Sequence, residues 1–198
     1  MKRSINILAV LFFFLPQLLS AQPKSNLDII YDLIEENVNQ ILTILPHEVT
    51  LKEIEFSSPK EYENLENRFL HTLNNKGILR TDSVHSFLLK YSLDQIGILY
   101  SEPFRGSLLS DYKVERNIFL SSTFALGINN HVKHSEIIES EYSDTLYYSD
   151  IKNVETPNLS ITHGTKPSEP LFESLLEPVI AIGAVIVTII LLFTVRSK

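Results

Sequence analysis

The chain contains no cysteine. That excludes disulfides, a thiol nucleophile, thiolate metal sites and a lipid-bearing N-terminal cysteine, so a folded domain must stand on its hydrophobic core alone. Glycine is scarce, with six in 198 residues, and no glycine-rich loop that could cradle a phosphate occurs. The Gly-x-Ser-x-Gly elbow, the His-Glu-x-x-His pair and the calcium-loop pattern are absent as well. Basic residues number 17 against 24 acidic ones, for a formal net charge of −7. A surface of that sign makes nucleic acid and anionic lipid poor partners. No cofactor is expected.

Histidine and carboxylate chemistry is present only in scattered form. His131 and His134 form the one close histidine pair, with Glu136 next along the chain. On a strand, residues three apart point to opposite faces, so the pair would suit a metal only on a helix. The neighbouring acids Glu35 with Glu36, and Glu139 with Glu141, read as solvated faces, because acid–base work needs a carboxyl held in a cleft.

What the sequence does carry is a pair of distinctive ends. Lys2 and Arg3 precede an apolar run from Ile5 to Phe14, and Ser20 and Ala21 supply small residues at a processing site. Residues 1–21 therefore read as a cleavable signal peptide. Residues 178–195 carry no charge, and the segment 173–195, with its approach, reads as a single membrane-spanning helix. Arg196 and Lys198 follow it, so the positive-inside rule puts 196–198 in the cytoplasm and the rest outside. The plan is that of a type I single-pass protein at the cell membrane with an extracytoplasmic, periplasmic bulk. On the helix, Ala181, Ala184 and Thr188 recur at three and four, a stripe of small residues suited to association with a second copy, and so to a homodimer.

Between the ends, residues 22–155 suffice for one domain with a real core. Leu27, Ile30, Ile34, Val38 and Ile41 repeat at helical spacing and predict a helix ending before Pro46. A strand follows over 49–56. Ser58, Pro59 and Glu61 then give a helix start signal, with Tyr62, Leu65, Phe69 and Leu73 on one face and Gly77 at the close. Val84, Phe87, Leu88 and Tyr91 suggest a third helix. From 96 onward short apolar and alternating runs separated by turn signals read as strands, above all the hairpin formed by 111–126 and 132–142. Residues 156–172, with Pro157, Pro167 and Pro170, read as an extended linker. The expected fold is α+β: a two-layer sandwich of an N-terminal helical part and an antiparallel sheet built on a long hairpin, plus the C-terminal transmembrane helix.

The hairpin "VERNIFLSSTFALGINNHVKHSEII" behind a signal peptide resembles bacterial envelope domains of the curli secretion channel and penicillin-binding-protein activator kind. The resemblance implies an envelope setting and assigns no functional residue. With the turn centred on Asn129, Phe124 would face His134, Ser122 would face Glu136 and Arg116 would face Tyr142, leaving Arg116, Ser122, His134 and Glu136 as inward polar groups. These four are the candidate cleft or partner residues. Phe119, alone among polar neighbours on the outward face, is the candidate partner contact. The function this supports is a membrane-anchored, non-enzymatic envelope protein that binds a protein partner, in secretion, cell-wall or surface assembly. The alternative is a membrane-tethered hydrolase using histidine and carboxylate groups.

Overall fold

The computed structural model describes residues 22–45, 50–77, 86–107, 110–128, 131–168 and 173–195. The signal-peptide segment 1–21 and the tail 196–198 lie outside them.

Helix α1, Asn26–Ile44, starts where Ser25 Oγ accepts the Asp28 amide, an N-cap that satisfies one of the helix's unpaired donors. It buries Ile29, Ile30, Leu33, Ile34, Val38 and Ile41. Strand β1, Thr50–Ser57, is followed by a 3-10 turn, Lys60–Leu65, and helix α2, Glu66–Asn75. The Ser58 cap expected from the sequence is not used, because the chain enters through the tighter 3-10 turn after Pro59 without a side-chain cap. Gly77, at φ +71°, ends the helical stretch in the left-handed region that glycine adopts without penalty.

Three long strands follow: β2, Ser86–Tyr100, β3, Lys113–Ile128, and β4, His131–Tyr147. The helix expected around Phe87 and Tyr91 is thus the first half of a strand. The same residues that recur at three and four also recur at two, and Leu89, Tyr91 and Leu93 all go to the core. Packing against α1 and α2 decides between the two periods.

The sheet order is β1-β2-β3-β4, and the sheet is mixed rather than antiparallel. β1 and β2 run parallel, as they must when a helix carries the chain from one to the other across a face. β2, β3 and β4 are antiparallel. Both helices cover one face. Along β3 every even residue from Val114 to Leu126 is buried and the odd ones are not, the alternation that a half-covered sheet requires. Phe69 of α2 stacks on Tyr91 at 4.1 Å between ring centroids, with Phe56 of β1 completing the trio.

Residues 156–168 are not an extended linker. After the 3-10 turn Tyr148–Asp150 and the short helix α3, Ile151–Val154, the chain folds back over the sheet. Ile161 and Thr162 are buried in a 3-10 turn, Ser160–Thr162, and Thr165 bridges to Leu99. Prolines limit regular structure but do not prevent docking, and here local hydrogen bonds replace it: Thr162 Oγ1 accepts the Thr156 amide at 2.9 Å and Glu155 Oε1 accepts the Gly164 amide at 3.1 Å.

Helix α4, Glu173–Val195, corrects the expectation of a transmembrane span. Among the described residues no helix is long and apolar enough to cross a membrane. With the span goes the support for a cytoplasmic C-terminus.

Candidate interaction surface

The hairpin that carried the sequence-derived site closes in a register two residues away from the expected one over most of its length. Phe124 pairs with Glu136, Leu126 with His134, Ser122 with Ile138 and Arg116 with Asp144. The offset arises in two steps: the turn closes with Ile128 opposite His131, one residue on from the expected centre, and the bulged Lys133, without a partner between the pairs Leu126 with His134 and Gly127 with Val132, adds the second. Because strand faces alternate with period two, the two-residue offset keeps the side chains from His134 onward on their expected face, whereas Val132, on the tip side of the bulge, pairs with Gly127 and turns to the outer face. Phe124 and His134 are still diagonal neighbours, with ring centroids 5.6 Å apart.

The four inward polar residues do not form one group. Arg116 is fully buried. Its Nε and one terminal nitrogen donate to the two oxygens of Asp144 at 2.8 and 2.6 Å, and the other terminal nitrogen donates to the Lys24 carbonyl and to Asn26 Oδ1 at 2.8 and 2.7 Å. Such a forked arrangement matches guanidinium to carboxylate geometry. Asn26 in turn donates to the Tyr100 hydroxyl at 2.8 Å and to the Thr162 carbonyl at 2.7 Å. This clamp ties the start of α1 to β2, β3, β4 and the returning segment. Burial pushes the Tyr100 hydroxyl up to about 12.

Ser122 belongs to a second buried cluster in the middle of the sheet. Asn37 of α1 donates to Ser122 Oγ at 2.8 Å and to the Tyr91 hydroxyl at 3.2 Å, while Ser140 donates to Asn37 Oδ1 at 2.6 Å. One amide thus satisfies three strands. Burial also raises the Tyr91 pKa. Nothing in the sequence marks Asn26 or Ser140, whereas Asn37, three residues after Ile34 and four before Ile41 on the apolar stripe of α1, is a sign of a buried polar partner that spacing could have found.

His134 and Glu136 lie elsewhere, exposed and hydrogen-bonded to each other at 3.1 Å. Among the described residues no three His, Asp or Glu side chains are placed to hold a metal. Phe119 is not a free contact. Its ring lies over Gly97, its registered partner on β2, so the aromatic covers the gap left by glycine in the neighbouring strand. Ala181, Ala184 and Thr188 sit exposed on α4, and the Thr188 hydroxyl donates to the Ala184 carbonyl at 2.8 Å within the helix.

No family model matches the chain. No curated protein matches it either. Among solved structures it is similar to rare lipoprotein B from Shewanella oneidensis, with 16% identity over 48% of this chain and 69% of that one, at a TM-score of 0.33. A neuraminyllactose-binding hemagglutinin homolog from Helicobacter pylori gives 14% identity, 51% and 68% coverage and a TM-score of 0.34. A minor lipoprotein from Acinetobacter baumannii gives 14%, 56%, 80% and 0.33. Two of the three are bacterial lipoproteins, whereas the finer resemblance to curli-channel or penicillin-binding-protein activator domains has no family match behind it. At such TM-scores these likenesses carry nothing about what this chain does.

What remains open on the domain is the far half of the hairpin. From His131 to Ile137 all seven residues of β4 are exposed, on both faces of the strand. Val132 and Ile137 are each 64% exposed. Beside them, a depression of about 320 Å³ on the outer face of the sheet is lined by Leu88, Ala125, Gly127 and Val132 and by the ion pair of Lys90 with Glu55, closed at 2.6 Å.

Proposed function

We propose that the chain is a cell-envelope protein whose folded domain binds a protein partner and carries out no chemistry itself, with the distal half of the β3–β4 hairpin as the binding surface. The observation that carries this is the exposure of apolar Val132 and Ile137 within 131–137, a stretch of β4 exposed at every residue. Exposed apolar side chains clustered on one element mark interaction sites more often than scattered ones do. Arg116 and Tyr100 are engaged in an internal clamp, while Asp144, half-buried, borders a depression of about 320 Å³ together with Lys113 and Asp150. The envelope setting rests on the signal-peptide pattern at Lys2, Arg3 and the apolar run behind them. A role in secretion, cell-wall or surface assembly fits such a module.

The test is site-specific photocrosslinking in the native cells. A crosslinker at Ile137 should trap one discrete protein, whereas one at Lys60, on the turn before α2, should not. Equal trapping at both positions, or none at any exposed β4 position, would remove this reading.

A further inference from the structure

β4 is a long edge. All of its 17 residues but the bulged Lys133 pair with β3 on one side, and among the described residues no strand lies along the other. Edge strands are ordinarily blunted by proline, by lysine, by a bulge or by a covering element. β4 has no proline, and its one lysine and its bulge coincide at Lys133 near the hairpin tip, so the regularly paired stretch from His134 onward carries neither. The backbone there is placed to accept an added strand.

Charge indicates what would be added. On the outward face Ile137 is followed by Glu139 and Glu141, all three exposed. Helix α1 adds acid from above. Tyr31 and Glu35 form its α2-facing flank, held by Arg68 at 4.8 Å and Lys76 at 3.3 Å. Successive helix residues turn by about 100°, so Asp32 and Glu36 fall on the opposite flank, toward β4. Lys24, paired with Asp32, lies beside the strands, its carbonyl accepting from Arg116 of β3. Carboxylates thus stand on both sides of the open edge. A second copy would fit it poorly, because joining two β4 edges about a two-fold axis perpendicular to the sheet turns Asp32 and Glu36 of each copy toward those of the other.

Resting on the partner-binding reading above, we propose that the β4 edge takes up an extended basic segment of another protein as a fifth strand. Lys or Arg at alternate positions of that segment lie opposite Glu139 and Glu141, and an apolar side chain lies opposite Ile137. Main-chain hydrogen bonds supply the attachment, and the same-face positions of the pleat supply the selection.

The experiment uses the full chain in detergent and a short labelled peptide alternating Lys and Thr around a central Val, followed by fluorescence anisotropy. The Lys peptide should bind, more weakly as salt is added. Its counterpart with Glu in place of Lys should not, and methylation of alternate backbone nitrogens should abolish binding. Glu139→Lys with Glu141→Lys should weaken the Lys peptide about tenfold, the effect of about 1.4 kcal/mol, and admit the Glu peptide. Equal binding of Lys and Glu peptides, or undiminished binding of the methylated one, overturns the proposal. So does sedimentation of the chain as a dimer that the paired Glu139→Lys, Glu141→Lys substitution alters. If Ile137 crosslinks a protein while the Lys peptide does not bind, the partner-binding reading stands and the basic strand falls. If the peptide binds and no crosslink forms, the reverse holds.

Discussion

The ring of Phe119 on β3 lies across Gly97 on β2, its direct cross-strand partner, so that a Cβ at Gly97 would sit well inside van der Waals distance of the ring. Gly97→Ala should therefore destabilise the domain by about 1 to 3 kcal/mol through overpacking, despite removing a flexible residue from a strand. Phe119→Ala in the same chain should recover part of that loss. Urea unfolding of the four chains of the cycle measures the coupling, and strict additivity would show that the ring does not occupy the glycine's space.

The Arg116 clamp gives a larger effect. Arg116→Ala leaves Asp144, the Lys24 carbonyl and Asn26 without their donor, and breaking a buried pair from one side costs about 3 to 5 kcal/mol. Arg116→Met combined with Asp144→Leu should cost clearly less than the single change, because it removes the carboxylate as well. Denaturant midpoints distinguish the two outcomes.

Asn37 makes a parallel case in uncharged form. Asn37→Leu abandons Ser122, Ser140 and Tyr91 together, at about 1 to 3 kcal/mol for each buried group left unpaired. Adding Ser122→Ala, Ser140→Ala and Tyr91→Phe should restore much of the stability in thermal melts, since an apolar set of similar shape needs no partners.

The domain should also be alkali-sensitive in a defined window. An unfolded tyrosine ionises near pH 10, whereas Tyr100 in the fold does so at about 12 because burial penalises its phenolate, and Tyr91 is raised for the same reason. Above pH 10 or so the unfolded chain gives up protons that the folded one retains, so stability is complete below about pH 10 and falls as pH rises toward 12. Urea midpoints across that range, compared with Tyr100→Phe, should show a smaller drop for the variant. An unchanged slope would show that Tyr100 titrates normally.

The parts of the fold set by strong periodicity were legible in the sequence. The stripe of α1, the face of α2 through Tyr62, Leu65, Phe69 and Leu73, and the inward set from Val114 to Leu126 on β3 all go where spacing sends them. Phe87 to Leu93 misled because one set of apolar residues satisfies two periods, and only the helices lying above it choose between them. The hairpin register misled because neither the exact turn nor the bulge at Lys133 can be read from alternation, although the faces from His134 onward came out as expected. The candidate site failed for a different reason. Arg116 and Ser122 were correctly taken as inward and in need of partners, but the partners that satisfy them, Asn26, Asn37 and Asp144, come from distant segments. Phe119 looked isolated because its neighbour is a glycine on another strand.

The clamp around Arg116, Asn26, Tyr100 and Thr162 occupies one end of the sheet, where the chain both enters the domain at Lys24 and returns at Thr165 beside Leu99. The hairpin tip occupies the other end. From Arg116 to Ile128, β3 advances roughly 40 Å at about 3.3 Å per residue, several times the screening length of about 8 Å in physiological salt. A segment bound near Ile137, as proposed, would lie opposite Thr123, seven residues or roughly 23 Å from Arg116 at about 3.3 Å per residue, and would be joined to the clamp through the same two strands. Tension between the two ends runs along β3 and β4 and loads their paired hydrogen bonds in shear, all together, instead of peeling them one at a time. The hairpin is built as a boom.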